Sequence, residues 1–472
     1  MEPTTRTKPK ILFTGSTTSQ DFSALKVQGD ICAKPGTEGL QLAEVHWVDC
    51  ASTQPEQYAP LLRPTLDTGK ILVLRHPDAR ACQTLAELIG CQVEEGAAAL
   101  MVSRDLKATT PSSYSITVLD TSPRLSVTEH LLEGGDKQPP TARPVISNLT
   151  PTRSTRAITE EDGTQRDWAS MFGVHQAGPQ PTTGGPGLIP PQGVLYGIRN
   201  LTGSYSSTLT KETWNATKGK TQPIEFGFNS SFYVYRENGK ASADYVVIRV
   251  QQATFSPRTL MIRADNAKGY WQFDFQAQCT NNRNAALLST SPDTTNSSPL
   301  VTQLSIPLHV KYLKDGGCQP NYWSAIQGPT TRTQEGWGLS NRSGVTSGTA
   351  TWYHFIRDPW NVINDPPDEF SRWWANMYEG GYGGRVKNLN SLSGSSFTVE
   401  NVSAWRFSAS MISANRNVTF TETLRYRLAA FANPSGTGNG HHQISWYSIE
   451  THPNSITLDV VAVTNNPNSP CQ

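Results

Sequence analysis

The sequence predicts a mainly β protein in which a β-sandwich follows a small α/β domain. Three observations predict this architecture. Only 36% of the 472 residues are hydrophobic, and 37 Gly and 32 Pro are present, a composition typical of short strands joined by many turns. Beyond about residue 194, apolar residues alternate along short runs bounded by turn residues, which indicates a sandwich. Before about residue 140, strand and helix patterns alternate, which indicates an α/β domain.

The predicted α/β domain covers residues 1–140. Ala79–Ile89 places Ala81, Leu85, Leu88 and Ile89 on one face of a helix. Apolar runs predict strands at 10–14, 43–48, 70–74, 97–103 and 114–119. Gly15-Ser16-Thr17 follows the first of these like the start of a phosphate-binding loop, but neither GxxxxGK[ST] nor GxGxxG is present, so no nucleotide site is predicted.

Residues 141–193 are rich in Pro and Gly, which predicts a linker or an extended arm. The predicted sandwich then covers residues 194–472. Its strands are predicted at 225–236, 244–251, 259–263, 271–278, 303–313, 403–409, 417–431, 442–447 and 455–463. Asn238-Gly239 marks a hairpin turn after the first of them.

Composition limits the classes of function. A formal net charge of +1 argues against a nucleic-acid partner. No run of 18 apolar residues predicts a transmembrane helix. Residues 1–10 are polar and precede a short apolar run, so no secretory signal is predicted, and the chain is either cytosolic, exported without a leader or already processed.

The seven Cys residues show no CxxC spacing. A zinc site is therefore not expected, and no cofactor or metal is predicted. The odd number leaves at least one free thiol, and a Cys279–Cys318 disulfide in an oxidising compartment stays open.

The segment Trp352–Trp374 reads WYHFIRDPWNVINDPPDEFSRWW. It has neither a helical nor a strand period, which predicts a structured loop. Aromatic rings beside Arg suit cation–π contacts and anion binding, so the loop is a candidate for contact with a lipid headgroup. The alternative is a folded loop that buries its own aromatic side chains.

Several stretches, taken in order, resemble the alpha-haemolysin and leukocidin family of β-barrel pore-forming toxins over residues 200–463. Phe232–Gln251 resembles the first sandwich hairpin of that family, and Lys268–Phe275 resembles the following strand. Trp352–Trp360 resembles its rim motif, W-x-x-aromatic-x-R-D-x-W. Leu389–Phe397 resembles the Ser/Leu/Gly run after the rim, and Gln443–Trp446 resembles a closing strand.

The resemblance implies a leukocidin-like sandwich with a rim at about 351–400 that binds phosphocholine headgroups. By position, Trp352 and Phe355 would flank the choline and Arg372 would bind the phosphate. The family usually has Tyr where Phe355 stands, so one hydroxyl is missing. The full predicted headgroup site is Trp352, Phe355, Arg357, Trp360, Arg372 and Trp373. Implied partners are membrane lipids or surface glycans and further copies of the chain in a ring.

The family also carries a stem of two amphipathic strands between sandwich and rim. Here the corresponding interval is Lys314–Ala350, in which apolar positions are irregular and Pro320 and Pro329 interrupt the first half. This predicts either a short, degenerate stem or the loss of membrane insertion. Gly, Ser and Thr in Trp337–Ala350 fit the lumen face of a barrel.

Larger cytolysins of the family carry an N-terminal region that is removed before assembly. Residues 1–140 are therefore either a comparable region that holds the chain monomeric, with 141–193 as its cleavable linker, or an unrelated fused domain. The predicted function is a cytolysin-like toxin, secreted or released without an N-terminal signal, which is a soluble monomer until it binds a membrane and inserts a β-barrel. The alternative is a non-lytic lipid- or glycan-binding protein on the same scaffold.

An enzyme is not predicted. The pair His441 and His442 and the cluster Asp365, Asp368 and Glu369 carry titratable groups. No nucleophile elbow, HExxH motif or paired-carboxylate spacing accompanies them, so solvated loop charges account for them.

Overall fold

The structure is a computed structural model of the chain. It describes residues 8–106, 113–119, 125–133, 141–144, 149–150, 193–211, 220–237, 244–256, 267–294, 300–356, 397–432, 443–451 and 454–464, apart from short gaps at 94–96, 98, 105, 305–308, 315–316, 325–329 and 335–336.

An α/β unit forms the N-terminal part of the structure. Its elements are β1 (Lys10–Thr14), α1 (Gln20–Gln28), β2 (Asp30–Ile31), α2 (Gly36–Leu42), β3 (Val45–Asp49), α3 (Pro55–Asp67), β4 (Ile71–Arg75), α4 (Ala79–Ile89), β5 (Cys91–Val93) and β6 (Ala99–Arg104). Strands β2, β1, β3 and β4 are parallel neighbours, and β6 pairs antiparallel with β4. Helix α4 has the predicted bounds because Asp78 caps its first turn and Gly90, at φ 71°, ends it.

Long strands form most of the remaining structure. They are β7 (Ser113–Leu119), β8 (Leu125–Glu133), β9 (Thr141–Pro144), β10 (Leu149–Thr150), β11 (Gly193–Lys211), β12 (Lys220–Glu237), β13 (Tyr245–Ser256), β14 (Ala267–Asn281), β15 (Leu287–Ser291), β16 (Leu300–Leu304), β17 (His309–Lys314), β18 (Gly317–Ser324), β19 (Thr330–Gln334), β20 (Trp337–Asn341), β21 (Ala350–Ile356), β22 (Phe397–Phe407), β23 (Asn417–Ala432), β24 (Gln443–Thr451) and β25 (Asn454–Asp459). Two short helices, α5 (Ala409–Ala414) and α6 (Val460–Thr464), complete the described elements.

Two large sheets confirm the predicted mainly β fold. Sheet A has twelve strands, in the order β15-β22-β13-β12-β11-β7-β6-β4-β3-β1-β2, with β10 beside β11. Sheet B has nine, in the order β20-β21-β14-β23-β24-β8-β9, with β25 joining β23 to β5. The sheets pack through one hydrophobic core, in which the Phe420 ring lies 5.0 Å from that of Phe232 and 5.1 Å from that of Trp405.

A buried ion pair crosses this core. The Arg249 guanidinium, from β13 of sheet A, donates to both carboxylate oxygens of Glu422, from β23 of sheet B, at 2.7 Å each. Asn401 accepts a further bond from Arg249 at 2.7 Å, and Gln251 donates to Glu422. All four side chains are fully buried. Burial lowers the pKa of Arg249, but the attraction of Glu422 outweighs it and the net shift is upward.

The two predicted domains are hydrogen-bonded to each other through both sheets. In sheet A, β7 of the predicted N-terminal domain pairs parallel with β11, and in sheet B, β8 pairs antiparallel with β24 along its whole length. Strand β5 likewise pairs with β25. The core between the sheets is continuous, since it includes Leu85 and Ile116 from one side and Phe232 and Val463 from the other.

Strands β16 to β19 form two nested antiparallel pairs, β16 with β19 and β17 with β18, and the segment that contains them (residues 300–334) is here called the long hairpin. Its base pairs Leu300 with Gln334, and its tip pairs Lys314 with Gly317. The predicted stem, at 314–350, therefore differs from the structure in two ways. Its first arm starts earlier, at Leu300, and so takes in strand residues of the run 303–313 that the sequence assigns to the sandwich. Its predicted end, 337–350, belongs to sheet B, because β20 pairs with β21.

Two other predictions need correction. Residues 352–356 continue β21 rather than beginning a loop, because both faces of that strand are buried. Residues 460–463 lie in helix α6 instead of extending a strand. The sequence leaves a Cys279–Cys318 disulfide open, and in the structure Cys279 is a free, buried thiol. Within the described ranges, no helix has the length and apolar character needed to span a membrane.

Candidate functional site

Two residues of the predicted headgroup site lie inside the protein. Trp352 is 0% exposed in the core between the sheets, and its indole Nε1 donates to the Pro292 carbonyl at 3.0 Å. Phe355 is 2% exposed on the opposite face of β21. This burial contradicts direct headgroup contact by these two side chains, because a lipid ligand requires an accessible surface. The aromatic character of the start of the segment reflects packing of a central strand.

The other four predicted residues, Arg357, Trp360, Arg372 and Trp373, lie outside the described residues. Headgroup binding by them stays a prediction. The same holds for the catalytic alternative, because 365–369 and 441–442 also lie outside the described parts. Across the described residues, no group of three or more His, Cys, Asp or Glu side chains gathers to hold a metal ion.

The strand that leads into this segment is fixed by a second buried charge pair. Asp274, on β14 and fully buried, accepts from the Tyr353 hydroxyl at 2.6 Å and from the Arg427 guanidinium Nε at 2.6 Å. Burial and the Asp274 carboxylate both raise the pKa of Tyr353. The Arg342 guanidinium lies over the Tyr353 ring, 4.8 Å from its centroid, in a cation–π contact. Strands β14, β21 and β23 are therefore held at the point where the predicted rim begins.

His354 lies on the same face of β21 as Trp352 and stacks on Phe275 with ring centroids 4.4 Å apart. Neither ring nitrogen has a hydrogen-bond partner in the described structure, and the side chain is 2% exposed. Burial lowers the pKa of His354 to about 3. A neutral imidazole thus fills an apolar position directly before the predicted rim.

The long hairpin has a distinctive charge distribution. Residues 294–310 contain no Asp, Glu, Lys or Arg, and neither do residues 316–331. Charges return at the tip, with Lys311, Lys314 and Asp315, and near the base, with Arg332. Strand β17 of the first arm lies beside β11 of sheet A. The hairpin therefore lies beside sheet A and carries an uncharged run in each arm.

The loop after β1 does not have the geometry of a phosphate loop. The Ser16 backbone N–H donates to the Ser52 hydroxyl at 3.0 Å, and Ser52 donates to the Asp49 carboxylate at 2.7 Å. A nearby carboxylate disfavours an anionic ligand. The sequence expectation that no nucleotide binds here is compatible with these contacts.

Compared with known proteins, the chain matches no protein-family profile and no curated protein. Solved structures that it matches include a protein described as "Pore forming protein", with 11% identity over 52% of this chain and 94% of that one, at a TM-score of 0.31. Clostridium perfringens delta-toxin matches with 12% identity over 52% and 93%, at 0.29. The Clostridium perfringens NetB toxin in its membrane-inserted form matches with 10% identity over 54% and 96%, at 0.26. TM-scores this low do not establish a common fold.

Proposed function

We propose that this protein binds a membrane surface, self-associates into a ring and inserts the long hairpin as its part of a β-barrel pore. The observation that carries the proposal is the charge distribution of that hairpin. A transmembrane β-strand needs about 9–11 residues to cross the hydrocarbon layer. The first arm supplies 11 uncharged residues, 300–310, and the second arm supplies 15, 317–331. At about 3.3 Å per residue, residues 300–314 span about 50 Å, more than the roughly 30 Å of hydrocarbon.

The position of the charges also supports insertion. Arg or Lys on the lipid face of a barrel costs about 2–4 kcal/mol at the bilayer midplane and little near the interface. Lys314 pairs with Gly317 in the last pair before the tip, Lys311 precedes it by three residues and Asp315 follows it in the sequence. An inserted hairpin would hold these charges near or beyond the far headgroups. If these charges lay at the centre of an arm, insertion would cost this free energy in every subunit of the ring.

Membrane recognition is proposed for the segment that follows β21. Arg357, Trp360, Arg372 and Trp373 combine cation–π surfaces with guanidinium donors, which suits a phosphocholine headgroup. Trp352 and Phe355 take a different role in this proposal, since both are buried and anchor the start of the segment. A surface glycan is the other ligand class that aromatic rings and polar side chains would accept.

The test uses phosphatidylcholine vesicles that contain a trapped dye. The intact chain should bind them, form oligomers and release the dye. A chain in which a short Gly-Ser turn replaces residues 300–334 should bind without release, while Arg372→Ala with Trp373→Ala should abolish both. Binding without release by the intact chain would instead favour a non-lytic lipid-binding protein. Absence of binding to vesicles and to cells would contradict the proposal as a whole.

A further inference from the structure

We infer that the N-terminal region (residues 8–150) is a permanent part of the folded sandwich, so that a chain cut within residues 151–192 stays together as a complex of two fragments. This inference does not rest on pore formation.

Backbone pairing carries the first step. One N-terminal strand enters each large sheet, since β7 pairs with β11 in sheet A and β8 pairs with β24 in sheet B. Loss of the N-terminal region would leave the N–H and C=O groups along these edges of β11 and β24 without their partners. Exposed edge strands promote aggregation, which folded proteins avoid by covering them. Strands β7 and β8 cover one edge in each sheet at once.

A buried arginine carries the second step. Arg199, on β11, is 1% exposed and donates through Nε to the Ile89 carbonyl at 2.6 Å. Its guanidinium lies 4.9 Å from the centroid of the Tyr114 ring and hydrogen-bonds the Cys91 side chain. Burial lowers the pKa of Arg199, and these neighbours from the N-terminal region partly oppose that effect. The arginine thus holds α4, β5 and β7 against the sandwich.

Close packing at the end of α4 carries the third step. The Asp459 backbone N–H, from β25, donates to the Gly90 carbonyl at 3.0 Å. A Cβ atom added at Gly90 would lie 3.1 Å from the Val463 Cγ2 methyl, and its φ of 71° also disfavours any other residue. The C-terminal elements β25 and α6 therefore fit directly against the helix end, as parts of one core do and as separable domains do not.

The two fragments would then share backbone pairing, a buried cation and a continuous apolar core. Contacts between protomers in any ring must consequently use surfaces other than the β11 and β24 edges.

The experiment inserts a specific protease recognition sequence after residue 170 and cleaves the folded chain. Gel filtration and native mass spectrometry should give one species with both fragments at the mass of the intact chain. Concentrated guanidinium chloride should separate them. An N-terminal fragment that elutes alone under native conditions would overturn the inference. Because no membrane is present, that outcome would leave the pore-forming proposal standing.

A variant pair makes the test specific. Arg199→Met should raise the dissociation constant of the cut chain about tenfold, equivalent to about 1.4 kcal/mol, while the uncut variant stays folded by circular dichroism. Arg283→Met is the matched control, because Arg283 is a half-buried arginine whose side-chain hydrogen bonds in the described structure go to the Asn415 and Asn417 carbonyls within the sandwich. An equal effect of both substitutions would contradict the role assigned to Arg199.

Discussion

Removal of the Glu422 carboxylate should destabilise the sandwich more than any surface change of similar size. In Glu422→Ala, the Arg249 guanidinium would stay fully buried with only the Asn401 side-chain oxygen, at 2.7 Å, among its present partners. Removal of one partner of a buried ion pair costs about 3–5 kcal/mol, because the remaining charge has lost its compensation in a dry interior. The free energy of unfolding should fall by that amount.

The assay is equilibrium unfolding in guanidinium chloride, followed by tryptophan fluorescence, since Trp405 lies in the same core. Arg416→Ala is the control: Arg416 pairs with Asp459 at 2.8 Å but is 64% exposed, so its loss should cost less than about 1 kcal/mol. The double variant Arg249→Met with Glu422→Leu should lose less than Glu422→Ala, because it leaves no unpaired charge. A loss below about 1 kcal/mol in Glu422→Ala would refute the reasoning.

Three further predictions concern the rim base and the hairpin. The pKa of His354 is about 3 in the folded state against an ordinary 6.5. Between these values only the unfolded state gains this proton, so the free energy of unfolding should fall by roughly 3 kcal/mol as the pH is lowered from 7 to 4. His354→Phe should remove this component of the pH dependence of unfolding. Asp274→Asn leaves the guanidinium of Arg427 without its carboxylate and should lower stability by about 2–3 kcal/mol in denaturant titrations. Adjacent residues of a barrel strand face the lipid and the lumen in turn, and an Arg is costly only on the lipid face. One of the two variants Tyr322→Arg and Trp323→Arg should therefore abolish dye release, and the other should retain it.

Each of these has a contrary result. If the free energy of unfolding of His354→Phe depends on pH as it does in the original chain, His354 is not the source of that pH dependence. A stability loss in Asp274→Asn no larger than that of Arg416→Ala would mean that Arg427 finds other partners. Equal release by both hairpin variants would mean that residues 322 and 323 do not cross a bilayer.

The sequence predicts those elements whose signals lie within the element and its flanking residues. Helix α4 follows from an apolar face between a capping Asp78 and a terminal Gly90. Helix α3 carries Pro60 and Pro64 inside it, which conceals it because Pro is expected to end a helix. The long strands β12, β13 and β23 follow from alternation, although alternation gives no information on which strands become neighbours.

The non-local features could not be obtained in that way. Arg249 and Glu422 are 173 residues apart, and nothing near either residue indicates the other. Alternation in 303–313 predicts one strand, whereas the described residues of that run belong to two strands, β16 and β17. Their partners lie in the second arm of the long hairpin rather than in the sandwich. The uncharged runs on both sides of Asp315 were a visible signal for that hairpin. Trp352 was assigned to a surface because composition alone does not separate a buried aromatic from a lipid-facing one.

The central claim, that the long hairpin enters the bilayer, is tested most directly by a fluorophore scan. An environment-sensitive fluorophore is introduced at each residue from 317 to 324 in turn, as a non-canonical amino acid that leaves the native thiols unlabelled. With phosphatidylcholine vesicles, emission should shift to the blue at every second position, because alternate residues of a barrel strand face lipid. Spectra that are unchanged by vesicles at all eight positions, in a chain shown to be vesicle-bound, would contradict insertion.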